Sequence, residues 1–152
     1  MSKMIELHGK YGAGKFAIVD DEDYELVSQH RWLVDVRGYV NFNVLHKRVY
    51  LHRFILKLKE FDGTMVDHKK GNKLDNRKSQ LRKCTNSQNQ ANTKSWGGKE
   101  QKGIYLFKNR WVARIMVNGV RKFLGRFKNK EEALIVYKLE SKKQFGEFSY
   151  DK

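Results

Sequence analysis

The 152-residue chain contains no proline and a single cysteine, Cys84. One cysteine excludes an intrachain disulfide and a multi-cysteine zinc site, so any catalytic metal must be held by oxygen and nitrogen ligands, and zinc is not expected. Without proline, glycine and asparagine are left to punctuate the chain. No apolar run approaches the about 20 residues needed to span a bilayer, and MSKMIELHGK at the start lacks the apolar core of a signal peptide. Both absences lead us to expect a cytoplasmic, intracellular protein with no membrane partner. Acidic residues are scarce in one part only: residues 63–152 hold 22 Lys/Arg against 8 Asp/Glu, whereas residues 1–62 hold 10 against 9.

What is present is basic charge, a net +15 with a sequence pI near 9.9. Each Lys or Arg laid on a phosphate releases condensed counterions, so the last ninety residues point to nucleic acid, ahead of an anionic membrane or a merely solvated surface. A hydrophobic content of 39% suits small modules better than one large core.

Residues 1–62 read as short strands with one helical stretch: Phe16–Val19 is β-like, DDEDYELVSQ (20–29) has an acidic helix start, and YVNFNV and VYLHRFIL look extended or partly helical. GKYGAGKF (9–16) imitates a phosphate-binding loop, but Phe16 stands where that loop needs a magnesium-binding Ser or Thr. It reads as a glycine turn between strands, and no nucleotide is expected. TMVDH and QLRKC are two short strands around the loop KKGNKLDNRKS, and Thr85 or Asn86 can cap a helix through SQNQAN. From residue 102, GIYLF, RWVARIMV and VRKFLGRF read as strands with Asn118-Gly119 as a hairpin turn. A helix follows from about Lys130 to Phe145, begun by an Asn129/Glu132 capping box and stopped by Gly146.

The chemistry concentrates in VDHKKGNKLDNRKSQLR (66–82). Hydrolysing a phosphodiester needs an activated water, neutralisation of the phosphate and stabilisation of the leaving oxygen. A histidine can take the water's proton, and an adjacent Asp on a strand end can reach a metal from the other face, because successive strand side chains alternate. A carboxamide on the following helix can close the metal site, so Asp67, His68 and Asn89 supply the set. The ordinary reading of these residues is a polar turn with caps.

The order DH, GNKLDNR loop, QLR strand and QNQAN helix, over about residues 49–93, resembles the HNH nucleases with their ββα-metal motif, in particular the phage homing-endonuclease branch. The resemblance implies His68 as general base, Asp67 and Asn89 as ligands of one divalent cation, Mg²⁺ or Mn²⁺, and double-stranded DNA as substrate. The family's middle Asn, twelve residues after the His, is Gln80 here. Gln80 adapts with its longer stem, or Asn76 substitutes, or the site is weakened. Just upstream, His52 reads as a core or supporting histidine and Arg53 as a candidate phosphate contact.

In RWVARIMV, Trp111, Ala113, Ile115 and Val117 share the face expected to pack on the helix, through Ala133, Leu134, Val136, Tyr137 and Leu139. The stretches KGI, RWVARI, FLGRF and the EEA helix, over about residues 101–150, resemble the ethylene-response-factor-type DNA-binding domain of plants. That resemblance implies a sheet face turned to DNA with Lys102, Tyr105, Arg114, Met116, Arg121 and Phe123. Base preference does not transfer, because Tyr105, Arg114 and Met116 differ from the plant residues.

The expected fold class is α+β: a small β-rich N-terminal region (1–62), a ββα-metal nuclease motif (63–93), a linker (94–101), and a three-stranded antiparallel sheet plus helix (102–150). The expected function is a metal-dependent DNA endonuclease that nicks one strand as a monomer. The rival is a DNA-binding regulatory protein that keeps the nuclease fold without catalysis.

Overall fold

The computed structural model describes residues 1–59, 62–93 and 102–149, so the expected linker 94–101 lies outside the described residues. The fold is α+β, with small antiparallel sheets and a C-terminal three-stranded sheet followed by a helix. Cα proximity divides the chain into two units, Met1–Cys84 and Thr85–Lys152. Among the described residues no helix is long and apolar enough to cross a membrane.

The first unit begins with a hairpin of β1 (Ser2–Glu6) and β2 (Phe16–Asp20). The glycine-rich stretch between them is a turn, with Gly9 and Gly14 at positive φ. Helix α1 (Asp21–Ser28) opens on three acids, which favour the positive end of its dipole. A second sheet orders β3 (Leu33–Val34), β4 (Val40–Val44) and β5 (Lys47–Tyr50), and helix α2 (Leu51–Ile55) follows directly. VYLHRFIL thus splits at Tyr50/Leu51 into strand and helix. The last pair is β6 (Met65–His68) with β7 (Leu81–Cys84), the latter preceded by a 3₁₀ turn at Lys78–Gln80. One core serves all of these: Leu7, Val19, Val27, Trp32, Val40 and Leu51 are fully buried, and Val66 and Leu81 join them from β6 and β7. The nuclease-like strands are therefore anchored in a core built mostly by residues 5–55.

The second unit starts with helix α3 (Asn86–Ala91), capped by Thr85: Gln88 N–H donates to Thr85 Oγ1 at 3.2 Å, and Thr85 N–H donates to Gln88 Oε1 at 2.8 Å. Strands β8 (Ile104–Phe107), β9 (Arg110–Val117) and β10 (Val120–Phe127) form an antiparallel meander, and α4 (Lys130–Phe145) follows. Trp111, Ala113, Ile115 and Val117 do share the helix-facing side, against Ala133, Leu134, Tyr137 and Phe145. Leu139, expected inward, is 66% exposed, and Ser141 and Phe145 are the buried residues of the later turns. The expected capping box at Asn129 is not formed; its side chain donates instead to Glu132 Oε1 at 3.1 Å. A β-bulge between Phe123 and Gly125 breaks the alternation of β10, so Phe127 joins Leu124 on the core side of the sheet.

Candidate functional site

Asp67 and His68 occupy the end of β6, opposite Arg82 and Leu81 of β7. Because they are consecutive on a strand, their side chains leave opposite faces. Both are buried, at 5% exposure each. Arg82 donates from Nε to Asp67 Oδ2 at 2.8 Å, and its Nη2 lies 2.7 Å from the same oxygen. A buried carboxylate is thereby held beside a buried guanidinium, which offsets the cost of taking either from water.

His68 Nε2 lies 3.4 Å from Asn76 Oδ1, a long contact between two buried groups. Asn76 is fully buried, and its own position is fixed from two sides: its Nδ2 donates to Lys73 O at 3.2 Å, and its backbone N–H donates to Ile18 O of β2 at 2.8 Å. Leu74 O accepts from Ile18 N–H at 2.8 Å, so the long loop is stitched to the edge of the first hairpin. Arg77 grips Asp75 with both Nε (2.8 Å) and Nη2 (2.6 Å), and that charge pair holds the Asp75 carboxyl below its usual range. Gln80 meets the site through its backbone: Lys69 N–H donates to the Gln80 carbonyl at 2.9 Å, while the Gln80 side chain is half-buried at the start of β7.

Aromatic rings surround the catalytic candidate. His52 of α2 meets His68 edge-on at a centroid distance of 5.4 Å, Tyr50 stacks on His52 at 5.5 Å, and Tyr39 lies 6.1 Å from His68 and 5.7 Å from His52. Burial pushes the His52 imidazole down to about 3, with the nearby His68 and Arg53 charges adding to it. Burial also lowers His68, only partly offset by its contact with Asn76 and by the Asp67 charge. Both rings are therefore neutral at pH 7.

Arg53, the candidate phosphate contact, is engaged inside its own unit: Nη1 donates to Thr64 O (2.5 Å), and Nη2 to Lys59 O (2.5 Å) and Asp62 Oδ1 (2.8 Å). These bonds tie α2 to the entry of β6. Asn89 sits half-buried on α3 in the second unit, its backbone N–H donating to Thr85 O at 2.9 Å. Asp67, His68 and Asn76 are thus brought together in one unit, while Asn89 belongs to the other. Tyr39, Tyr50 and Arg82 are site neighbours that the sequence did not single out. Arg82 was within reach, since pairing His68 with Leu81 across the hairpin puts Arg82 opposite Asp67.

In the second unit, the sheet face away from α4 carries Tyr105, Val112, Arg114, Met116, Arg121 and Phe123, as their cross-strand pairing shows: Tyr105 with Val112, Arg114 with Phe123, Met116 with Arg121. Arg114 lies over the Tyr105 ring, 5.1 Å from its centroid. Met116 and Phe123 are exposed at 42% and 55%. The bulge at Gly125 brings Arg126 opposite Val112 and onto the same face, an arginine that strict alternation hid. Lys102 has another place: its ammonium donates to the Gln90 and Ala91 carbonyls at the end of α3, where burial lowers its pKa.

Among the described residues no three His, Cys, Asp or Glu side chains cluster as a metal site. A cation here would take one carboxylate, a carboxamide, phosphate oxygens and water. That donor set fits Mg²⁺ or Mn²⁺, hard ions that keep several waters and bind through one or two carboxylates plus phosphate.

No family model and no solved structure matches the chain. The chain is 33% identical over 144 residues to an uncharacterized HNH endonuclease of Acanthamoeba polyphaga mimivirus, an alignment covering 91% of this chain and 75% of that relative.

Proposed function

The chain belongs to the HNH endonuclease family, and from that premise we propose that it is a DNA endonuclease with His68 as general base and Asp67 and Asn89 as ligands of one Mg²⁺ or Mn²⁺. The observation that carries this reading is His68 itself: a neutral, buried imidazole next to a buried carboxylate, with a fully buried carboxamide on one ring nitrogen. A carbonyl oxygen can only accept, so Nε2–H faces Asn76 and the lone pair resides on Nδ1, which makes Nδ1 the basic ring nitrogen in this reading. When bound, the cation supplies charge neutralisation on the phosphate and on the leaving 3′ oxygen. Arg82 holds Asp67 in place and lowers the local negative charge.

In this reading Asn76 takes over the orienting role at His68, and Gln80 braces the loop through its carbonyl. The second unit grips duplex DNA with the Tyr105, Arg114, Met116, Arg121 and Phe123 face, in the manner of an ethylene-response-factor-type sheet. Such a ribbon fits the major groove, where arginine reads guanine or holds phosphate. One ββα motif cuts one strand, so a monomer nicks.

The test is supercoiled plasmid incubated with the protein and Mg²⁺ or Mn²⁺, beside His68→Ala and Asp67→Ala. Nicking by the wild type, abolished in both variants, is expected. Tight DNA binding without nicking by any of the three would replace the enzyme with a DNA-binding protein.

A further inference from the structure

Three hairpins in the described residues turn through two residues at positive φ. Lys108-Asn109 joins β8 to β9 and Asn118-Gly119 joins β9 to β10, with Asn109 and Gly119, which tolerate the left-handed region, at the second position. The third joins β4 to β5, where Val44 pairs with Lys47, and the turn consists of Leu45 (φ +46) and His46 (φ +64). Leucine is a poor choice for that conformation, because its Cβ crowds the backbone carbonyl. Nor does burial compensate: Leu45 is 87% exposed, and its neighbour Val44 is 43% exposed.

The surroundings of the tip are basic. From Val36 to Lys59 the sequence has no Asp or Glu, but it has Arg37, Lys47, Arg48, Arg53, Lys57 and Lys59. His46, Lys47 and Arg48 are all exposed beside Leu45. Of these, Lys47 and Arg48 lie on β5 directly after the turn. Tyr39, against the His68 ring, immediately precedes the same strand β4, so the tip at Leu45 is about 20 Å from it along an extended chain.

An exposed apolar side chain at the tip of a hairpin, next to basic residues, matches the apolar wedges that some proteins insert between base steps of a duplex. We propose that the β4–β5 turn is such a wedge: Leu45 enters the stack of the duplex near the cut site, while Arg48 takes a flanking phosphate. Partial unstacking there would loosen the duplex beside the strand to be cut. The wedge rests on the DNA-endonuclease reading above.

Intercalation unwinds DNA, so it can be read without knowing the target sequence. Relaxed closed-circular plasmid is incubated with the full chain and a metal-independent type I topoisomerase in EDTA, which keeps the nuclease silent, then stripped of protein and resolved by electrophoresis. Binding is followed in parallel by gel shift. The wild type is expected to leave a linking-number deficit, which Leu45→Met preserves and Leu45→Asn reduces by at least about twofold per bound protein. Because Asn relieves the left-handed backbone, Leu45→Asn should melt no lower than the wild type, which separates a lost wedge from a lost fold. Binding and metal-dependent nicking with no linking change, or an equal change in Leu45→Asn, would overturn the wedge alone. A wild-type chain that does not bind DNA would overturn the underlying reading with it.

Discussion

Asn76 and Gln80 carry the same amide, and the backbone decides which of them faces His68. Asn76 is fixed by β2 and by Lys73 O, whereas Gln80 leads into β7 and is used through its carbonyl. Asn76→Ala should therefore lower kcat for nicking by about a hundredfold, the scale of a misplaced catalytic group, with little change in KM for plasmid. Gln80→Asn should change kcat by less than about threefold on the same logic; a large gain would instead show that Gln80 limits the chemistry. The Asp67–Arg82 pair makes a stability prediction. Arg82→Met removes the guanidinium from a buried carboxylate and should cost about 3 kcal/mol in urea unfolding, and Asp67→Asn in the same chain should restore part of the loss.

Among the elements, α3 and the sheet of the second unit depend on a few local devices. Thr85→Ala removes one half of the reciprocal cap and should lower stability by about 1 kcal/mol, measured as a shift in the unfolding midpoint. Gly103, at φ +74, allows β8 to approach its neighbours: a Cβ there would come within 2.3 Å of the Tyr137 ring and 2.4 Å of Arg114 O. Gly103→Ala should therefore unfold the second unit at a clearly lower temperature, followed by the near-ultraviolet signal of Trp111 and Tyr137. The elements themselves were largely legible in the sequence. Alternation marked β8, β9 and β10, and acids followed by Gly146 bounded α4. The strand–helix junction at Tyr50/Leu51 was not legible, because VYLHRFIL is apolar with either period, and only packing of Leu51 and Ile55 into the core selects the helix. The bulge in β10 was hidden for a similar reason: glycine permits it, but the packing of Phe127 with Trp111 and Ala133 in the core accompanies it.

For the whole molecule, two conditions of the medium should have predictable effects. The neutral, buried His52 and His68 bind fewer protons than their unfolded counterparts once the pH falls below about 6.5. Stability is therefore unaffected by them above that pH and falls as the pH drops from about 6.5 towards 3, the range set by the unfolded value and by His52 in the fold. For His52 the slope should reach about 1.4 kcal/mol per pH unit, and His52→Phe should flatten it. The excess of 22 Lys/Arg over 8 Asp/Glu in residues 63–152 predicts steep salt dependence of DNA binding. With about six phosphate contacts, raising salt from about 50 to 200 mM should weaken affinity by about a thousandfold in fluorescence anisotropy.

The sequence by itself determined the adjacency of Asp67 and His68 on a strand, the exclusion of a multi-cysteine zinc site, the basic bias after residue 62 and the sheet-plus-helix end of the chain, because these depend on residue types and on short-range periodicity. The tertiary structure decided what each polar group meets. It put Asn76 on His68, Arg82 on Asp67, His52 and Tyr39 around the imidazole, Arg53 on Thr64, Lys59 and Asp62, and Lys102 on the end of α3. Hydrogen-bond partners are chosen by distance in the folded chain, and those distances are set by how β2, β6 and β7 pack on a shared core, which spacing along the sequence does not encode.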